Sequence, residues 1–487
     1  MDKNQKTHNI IPVKNALAGL KFLVFCTFMF TLTSSFPVFT AHAEGKTEIV
    51  TAIIAGQIID GRGGKPIKDG VIILRGRMIE AIGPKSKISI PDGAIIINAT
   101  GETILPGLID THGHLSLRYG AGGLKGVSGL NAQEQAPGAE QMLYMVRDAR
   151  ASLLSGVTTM RMVSEGSLDD PVDLYIRAGI KKGIVPGPRI IYGGTGITPT
   201  GGHGSSAIWV DGPWNAIKKV RRDALDGAEW FKILLIDLSP TETMYTDEEL
   251  KAIITEAHRW GMKVTVHCTG RWGSSIRKAI LAGADNIEHA RPMTKEIIKM
   301  LVKYDVSVSL TPLVYVGFRP DDSTWNYLDN VATGPADWIE YGRKHYFRFM
   351  KDHPEVRTED RPYEDGESHR AKRDFFPSNK TQQGQALAAF KAGVKISLGL
   401  DTLYYGGIGN AIEYLIEGGF KPMDAIRAAT AVAAENIGYG DRIGTLEPGK
   451  YADLISLRAD PLNDRWSWHK VHLVYKNGVR YDTLSWK

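Results

Sequence analysis

A chain of 487 residues, 43% hydrophobic and 23% charged, is longer than one average domain, yet one large barrel with a small companion domain accounts for it. That composition excludes a disordered, coiled-coil or collagenous protein. A net charge of +5 gives nucleic acid no footing, because the first 43 residues carry four lysines and one aspartate and their removal leaves +2.

The chain opens as a targeting segment. Lys3, Lys6, Lys14 and Lys21 precede an apolar run from Phe22 to Phe39 that ends in Ala41-His42-Ala43. This is the basic, apolar and small-x-small order of a signal peptide, and Thr and Ser interrupt the run too early for a bilayer span. Residues 1–43 are therefore expected to be removed on export, leaving a secreted or periplasmic protein with no membrane anchor. Cys26 lies in that segment behind Leu23-Val24-Phe25, which is not the setting of a lipidated cysteine. Cys268 is then the single mature cysteine, so no intrachain disulfide can form.

Residues 47–104 alternate short apolar runs with turn clusters such as Asp60-Gly61-Arg62-Gly63-Gly64, and 452–457 and 471–479 repeat the pattern at the far end. The expectation is a small β-sandwich domain built from 44–103 and 441–487. Between them, Val- and Ile-rich runs at 104–110, 157–163, 189–193, 230–236, 263–267, 285–288, 306–311 and 395–400 alternate with helical patterns. Eight such runs predict an α/β fold, a (β/α)8 TIM barrel over 104–440, with its chemistry at the C-terminal ends of the strands. Two stretches exceed a minimal barrel: the Gly-rich 116–140, and 313–380, which carries Arg319, Trp325, Arg343, His345, Arg348 and His369. Insertions this long are commonly lids or binding loops, although charge runs like the second are also ordinary solvated faces.

The first barrel strand ends Asp110-Thr111-His112-Gly113-His114, and strand alternation puts His112 and His114 on one face. His267, His289 and Asp401 each close a later strand, and Lys232 lies inside Trp230-Phe231-Lys232-Ile233. Four imidazoles, a carboxylate and a lysine at one rim are the donor types of a catalytic zinc or similar ion with open coordination positions. Lys232 reads either as a salt-bridged or snorkelling lysine or, beside these histidines, as a carbamate formed with CO2 that bridges two metals.

Four segments resemble the amidohydrolase superfamily, and within it the imidazolonepropionase-related group that contains metal-dependent Xaa-Pro and other dipeptidases. They are Leu105-Pro106-Gly107-Leu108-Ile109-Asp110-Thr111-His112-Gly113-His114, Gly201-Gly202-His203-Gly204, Ile287-Glu288-His289 and the run from Gly444 to Leu454. The resemblance implies two divalent ions, zinc by default: His112, His114 and Asp401 on one, His267 and His289 on the other, with carbamylated Lys232 bridging. It implies a water made acidic by the ions, a polarised carbonyl, and Asp401 passing the water proton to the leaving nitrogen. His203, in its expected loop, is implied to contact the substrate or its oxyanion. A homo-oligomer and a small-molecule substrate are expected.

Departures from the family bear on the substrate. Cys268-Thr269 stands where relatives commonly have Ala-Tyr, no glutamate of the deaminase kind follows His267, and Leu234-Leu235-Ile236-Asp237 replaces smaller residues. The expected reaction is hydrolysis of an amide in a dipeptide, an N-acyl amino acid or an aryl amide. Carbamates, lactones and cyclic amides are the alternative substrates, and a non-catalytic protein retaining the metal site as a relic is the alternative class.

Overall fold

The computed structural model describes residues 48–115, 138–164, 172–203, 208–312, 379–401, 407–464 and 467–481. Residues 1–43, expected as a signal segment, and the six basic and aromatic residues named between 319 and 369 lie outside the described residues. Among the described residues no helix is long and apolar enough to cross a membrane.

Strands β1 (Val50–Ile58), β2 (Ile67–Arg75), β3 (Met78–Pro84) and β4 (Ile95–Pro106) join three from the other end, β15 (Leu454–Leu457), β16 (Val471–Lys476) and β17 (Val479–Tyr481). Together they form one seven-stranded sheet in the order β17-β16-β15-β4-β1-β2-β3. The two chain ends are thus united by hydrogen bonds, as one continuous sheet. Along β1 successive side chains go to opposite faces, Ile53 and Ala55 packing with Ile72 and Leu74, and Ala52 and Ile54 with Val71 and Ile73.

The barrel follows from the eight expected runs: β5 (Leu108–Gly113), β6 (Val157–Ser164), β7 (Arg189–Thr195), β10 (Trp230–Ile236), β11 (Lys263–Thr269), β12 (Asn286–Arg291), β13 (Ser307–Leu310) and β14 (Ile396–Leu398). Two short strands, β8 (Ile197–Thr198) and β9 (Ile208–Trp209), flank the loop that carries His203. The ladders β5-β6-β7 and β10 to β14 are parallel throughout. Two backbone bonds close the ring: Glu229 N–H donates to Tyr192 O at 2.9 Å, and Asp401 N–H to His112 O at 2.9 Å. The helices between strands are amphipathic. Asp247–Arg259, for example, starts at a Thr246/Glu249 capping box and buries Leu250, Ile253, Ile254 and Ala257 in the layer that holds Val264 and Val266.

The expected first strand, 104–110, is two strands broken at Gly107. Pro106 still pairs with Leu454 in the end sheet, Gly107 N–H donates to Asp453 O at 3.0 Å, and Leu108 begins the barrel. A Cβ at Gly107 would sit 2.1 Å from Thr158 Oγ1, so only glycine lets the chain pass between the two sheets here.

The barrel interior is unusual in its middle level. At one end Ile109, Ile191 and Trp230 pack with Ile437 and Ile443. Next to this apolar floor, Arg161, Glu288, Thr265, Asn286, Ser309, Thr111 and Ser397 form a buried hydrogen-bonded layer where branched aliphatics normally stand. Arg161 bridges the two levels, its guanidinium lying 4.4 Å from the Trp230 ring centroid.

The contact that closes the barrel is also a close one. A Cβ at Gly399 would lie 2.3 Å from His112 Cβ and 2.8 Å from its backbone nitrogen. Gly399→Ala is therefore expected to lower stability by about 1–3 kcal/mol, as overpacking of a filled core does. A urea midpoint equal to that of the parent would show that β14 and β5 do not approach so closely.

Candidate metal centre

Four of the six expected rim residues, His112, Lys232, His267 and His289, lie within barrel strands and His114 directly follows β5; these five are all at most 6% exposed. Asp401 follows β14, with its side chain 18% exposed. His112 Nε2 and His114 Nε2 are 3.0 Å apart, and Asp401 Oδ1 lies 3.4 Å from the first and 3.0 Å from the second. Asp401 Oδ2 is 3.6 Å from His289 Nδ1, and the His267 and His289 ring centroids are 4.3 Å apart.

The donor set fits a divalent ion. One ligand atom from each of His112, His289 and Asp401 falls within 4.8 Å of the others, and nitrogen and carboxylate oxygen are what zinc-like ions take. Burial and the neighbouring His203, His289 and Lys232 charges push the His267 pKa well below its ordinary value; burial does the same to His289. Both rings are then neutral, the form that binds a metal. Burial works against ionising Asp401, but the charge on His112 and the hydrogen bonds from His112 and His114 hold its carboxyl well below the usual range. Lys232 is buried within β10, beside the strand that carries His267, and its charge acts to lower the pKa of His267 and His289.

Backbone conformation is part of the site. His289, Ala290 and Asp401 have φ of 66°, 50° and 50°, a left-handed region that non-glycine residues seldom adopt. Such strain persists only where surrounding structure over-determines it, and here it coincides with two rim residues.

Residues outside the expected set hold these ones in place. Glu288 Oε2 lies 2.7 Å from His112 Nδ1, and Glu288 Oε1 pairs with Arg161. Asp110 Oδ1 accepts from His112 N–H at 2.9 Å and from Leu400 N–H at 3.1 Å, tying β5 to the end of β14. Thr311 Oγ1 is 2.6 Å from His289 Nδ1. Glu288 belonged to a recognised motif and Asp110 shared the alternation of His112 and His114, yet nothing in linear spacing told that they touch the rim.

Other expectations fall elsewhere. Asp237 does not face the site; its carboxylate accepts the backbone N–H groups of Trp272, Gly273 and Ser275 and anchors the start of the helix Ser274–Ala282. Cys268 is buried in the layer between strands and helices, and Thr269 Oγ1 sits 2.9 Å from His267 Nε2 where relatives commonly carry tyrosine. His203 is exposed at the rim, its ring centroid 4.2 Å from that of His267. A narrow cleft beside His289 is lined by Arg291, Thr311, Gln382, Gln385 and Tyr414.

A (β/α)8 barrel with histidines and a carboxylate converging at its strand ends has its polar groups where barrels of this kind carry their chemistry. Residues 103–480 match the amidohydrolase family, and the chain belongs to it. It is 26% identical to an ochratoxinase of Aspergillus niger over 459 residues, covering 85% of this chain and 82% of that one. To an imidazolonepropionase of Porphyromonas gingivalis it is 24% identical over 430 residues, covering 83% and 85%. Among solved structures, a Xaa-Pro dipeptidase with bound methionine in its active site is similar at 26% identity and a TM-score of 0.70, over 89% of this chain and all of that one.

This geometry yields a direct expectation for the metal-stripped protein. Added zinc should raise its Tm, and Asp401→Asn, which removes the charge shared by His112, His114 and His289, should weaken zinc binding at least tenfold by calorimetric titration. Undiminished binding in that variant would place the ion elsewhere.

Proposed function

We propose that this chain is an exported amidohydrolase that uses two divalent ions, zinc by preference, to cleave an amide bond in a small acidic molecule: a dipeptide, an N-acyl amino acid or an aryl amide bearing a carboxylate. The observation that carries the reading is the convergence of His112, His114, His289 and Asp401 within 3.0–3.6 Å contacts around one point at the strand ends. In this reading His112, His114 and Asp401 would hold one ion and His267 and His289 the second, with Lys232, as its carbamate, a ligand shared by both. Ions so held supply a Lewis acid for the scissile carbonyl and bring the pKa of water toward neutrality.

The chain's own residues do the rest. Asp401, kept ionised by its imidazole neighbours, takes the proton of the attacking water and returns it to the leaving nitrogen, a single carboxylate serving as base and then acid. His203, at the exposed edge over His267, contacts the substrate carbonyl as its charge develops. Arg291 lines the cleft next to His289, and a guanidinium matches a carboxylate in a bidentate pair. It is the group we assign to the acid end of the substrate. The basic, apolar and small-x-small order of residues 1–43 supports export.

The test is metal content per mature chain together with hydrolysis of dipeptides, N-acyl amino acids, carbamates and lactones. The reading expects close to two ions, loss of at least one in Lys232→Ala along with the activity, and cleavage of amides with a free carboxylate. Arg291→Ala should raise KM for those substrates about tenfold or more, the worth of one charge-assisted bidentate contact, with a small change for uncharged analogues. One ion per chain, an active Lys232→Ala variant, or turnover confined to carbamates, lactones or cyclic amides would overturn it.

A further inference from the structure

The polar layer inside the barrel poses a question that the metal reading alone does not answer: how is the His112 ring held with the correct nitrogen toward the rim? A histidine ligand presents one nitrogen to an ion and must carry its proton on the other, and which is which is decided by the partner of the second nitrogen. For His112 that partner is Glu288, on the far side of the ring from Asp401.

The surroundings of Glu288 leave it no freedom. Its Oε1 faces hydrogen-bond donors alone: the Arg161 guanidinium, the Thr265 hydroxyl, and the Asn286 amide at 3.2 Å. Arg161 is fixed in turn, its Nε donating to Thr111 O at 2.8 Å, its Nη2 to Ser309 Oγ at 3.1 Å, and its Cζ lying 4.4 Å from the Trp230 ring centroid. With Oε1 saturated by donors, Oε2 is the atom presented to His112 Nδ1, and a carboxylate oxygen can only accept. Arg161, Glu288 and His112 are all at most 1% exposed, so water is not available to take over any of these bonds.

We propose that Glu288, held by Arg161, is a positioning residue that keeps a proton on His112 Nδ1, so that once the ring is neutral it is Nε2, the nitrogen facing His114 and Asp401, that stands unprotonated. The inference rests on the metal-centre reading for its purpose, but the tautomer itself is a property of the metal-free chain. It also explains why the layer is polar: a guanidinium from β6 and a carboxylate from β12 replace aliphatic packing in order to fix a ring on β5.

Glu288→Gln separates positioning from mere packing, because it is nearly isosteric. The new amide must turn its oxygen to Arg161, Thr265 and Asn286, all of them donors, which leaves its NH2 against His112 Nδ1. That NH2 needs an acceptor, so the His112 proton moves to Nε2, the nitrogen aimed at the rim. The experiment is 15N spectroscopy of histidine-labelled, metal-free protein well above the ordinary histidine pKa, with His112 assigned by substitution, followed by zinc titration. We expect a protonated Nδ1 in the parent, a protonated Nε2 in Glu288→Gln, and zinc affinity reduced roughly 10- to 100-fold in that variant with its far-UV spectrum unchanged.

A parent protein with the His112 proton on Nε2, or a folded Glu288→Gln variant with parental tautomer and affinity, would overturn the proposal. The parent spectrum alone decides it if the variant does not fold. A parent with the expected tautomer that takes up no divalent ion would instead sink the metal reading and leave this inference standing.

Discussion

The structure depends on how charge is held away from water at the centre of the barrel. Glu288 and Arg161 are both fully buried, and each is tolerable there only because the other is present. An isolated charge in such a place costs several kcal/mol, and breaking a buried pair from one side is among the most damaging single changes a protein can suffer. Burial opposes ionisation of Glu288, yet Arg161 and His112 hold its carboxyl well below the usual range, so it remains an anion. From this anion the order extends outward: His112 is oriented, Asp401 N–H bonds to His112 O, and the ring of strands closes at the same point where the rim residues meet. At that one place Gly399 has no room for a side chain.

Much of this was legible in the residues. Eight apolar runs spaced by amphipathic helices place eight parallel strands, and polar residues closing those runs mark the rim, because barrel strands end where loops and water begin. What failed to show follows from the same physics. The break at Gly107 is set by a contact with Thr158, 51 positions away, and the sequence reads through it as one apolar run. Glu288 and His289 are neighbours, and in a regular strand they would face opposite ways. Left-handed backbone at His289 and Ala290 upsets that alternation and lets adjacent residues both serve the interior. Nor does spacing reveal that Arg161 and Glu288, 127 residues apart, are partners.

The departures from the family now have positions. The more apolar strand after Lys232 does not floor the site with its carboxylate, since Asp237 is committed to the N-terminus of a helix. Cys268 packs in the core, and Thr269 supports His267. At the rim His203 stands over His267 and Arg291 lines the cleft beside His289. Barrels of this kind keep a constant floor and vary the loops and strand ends, so in the proposed function the substrate is read by residues that the histidine and carboxylate pattern does not specify.

The most direct test of the central claim is anomalous diffraction from crystals grown with zinc. The account predicts two peaks at the strand ends, one about 2.0–2.1 Å from nitrogens of His112 and His114 and the other at the same distance from nitrogens of His267 and His289, with density extending beyond Lys232 Nζ between them. A single peak with an unmodified lysine, or ions bound only away from these residues, would contradict it.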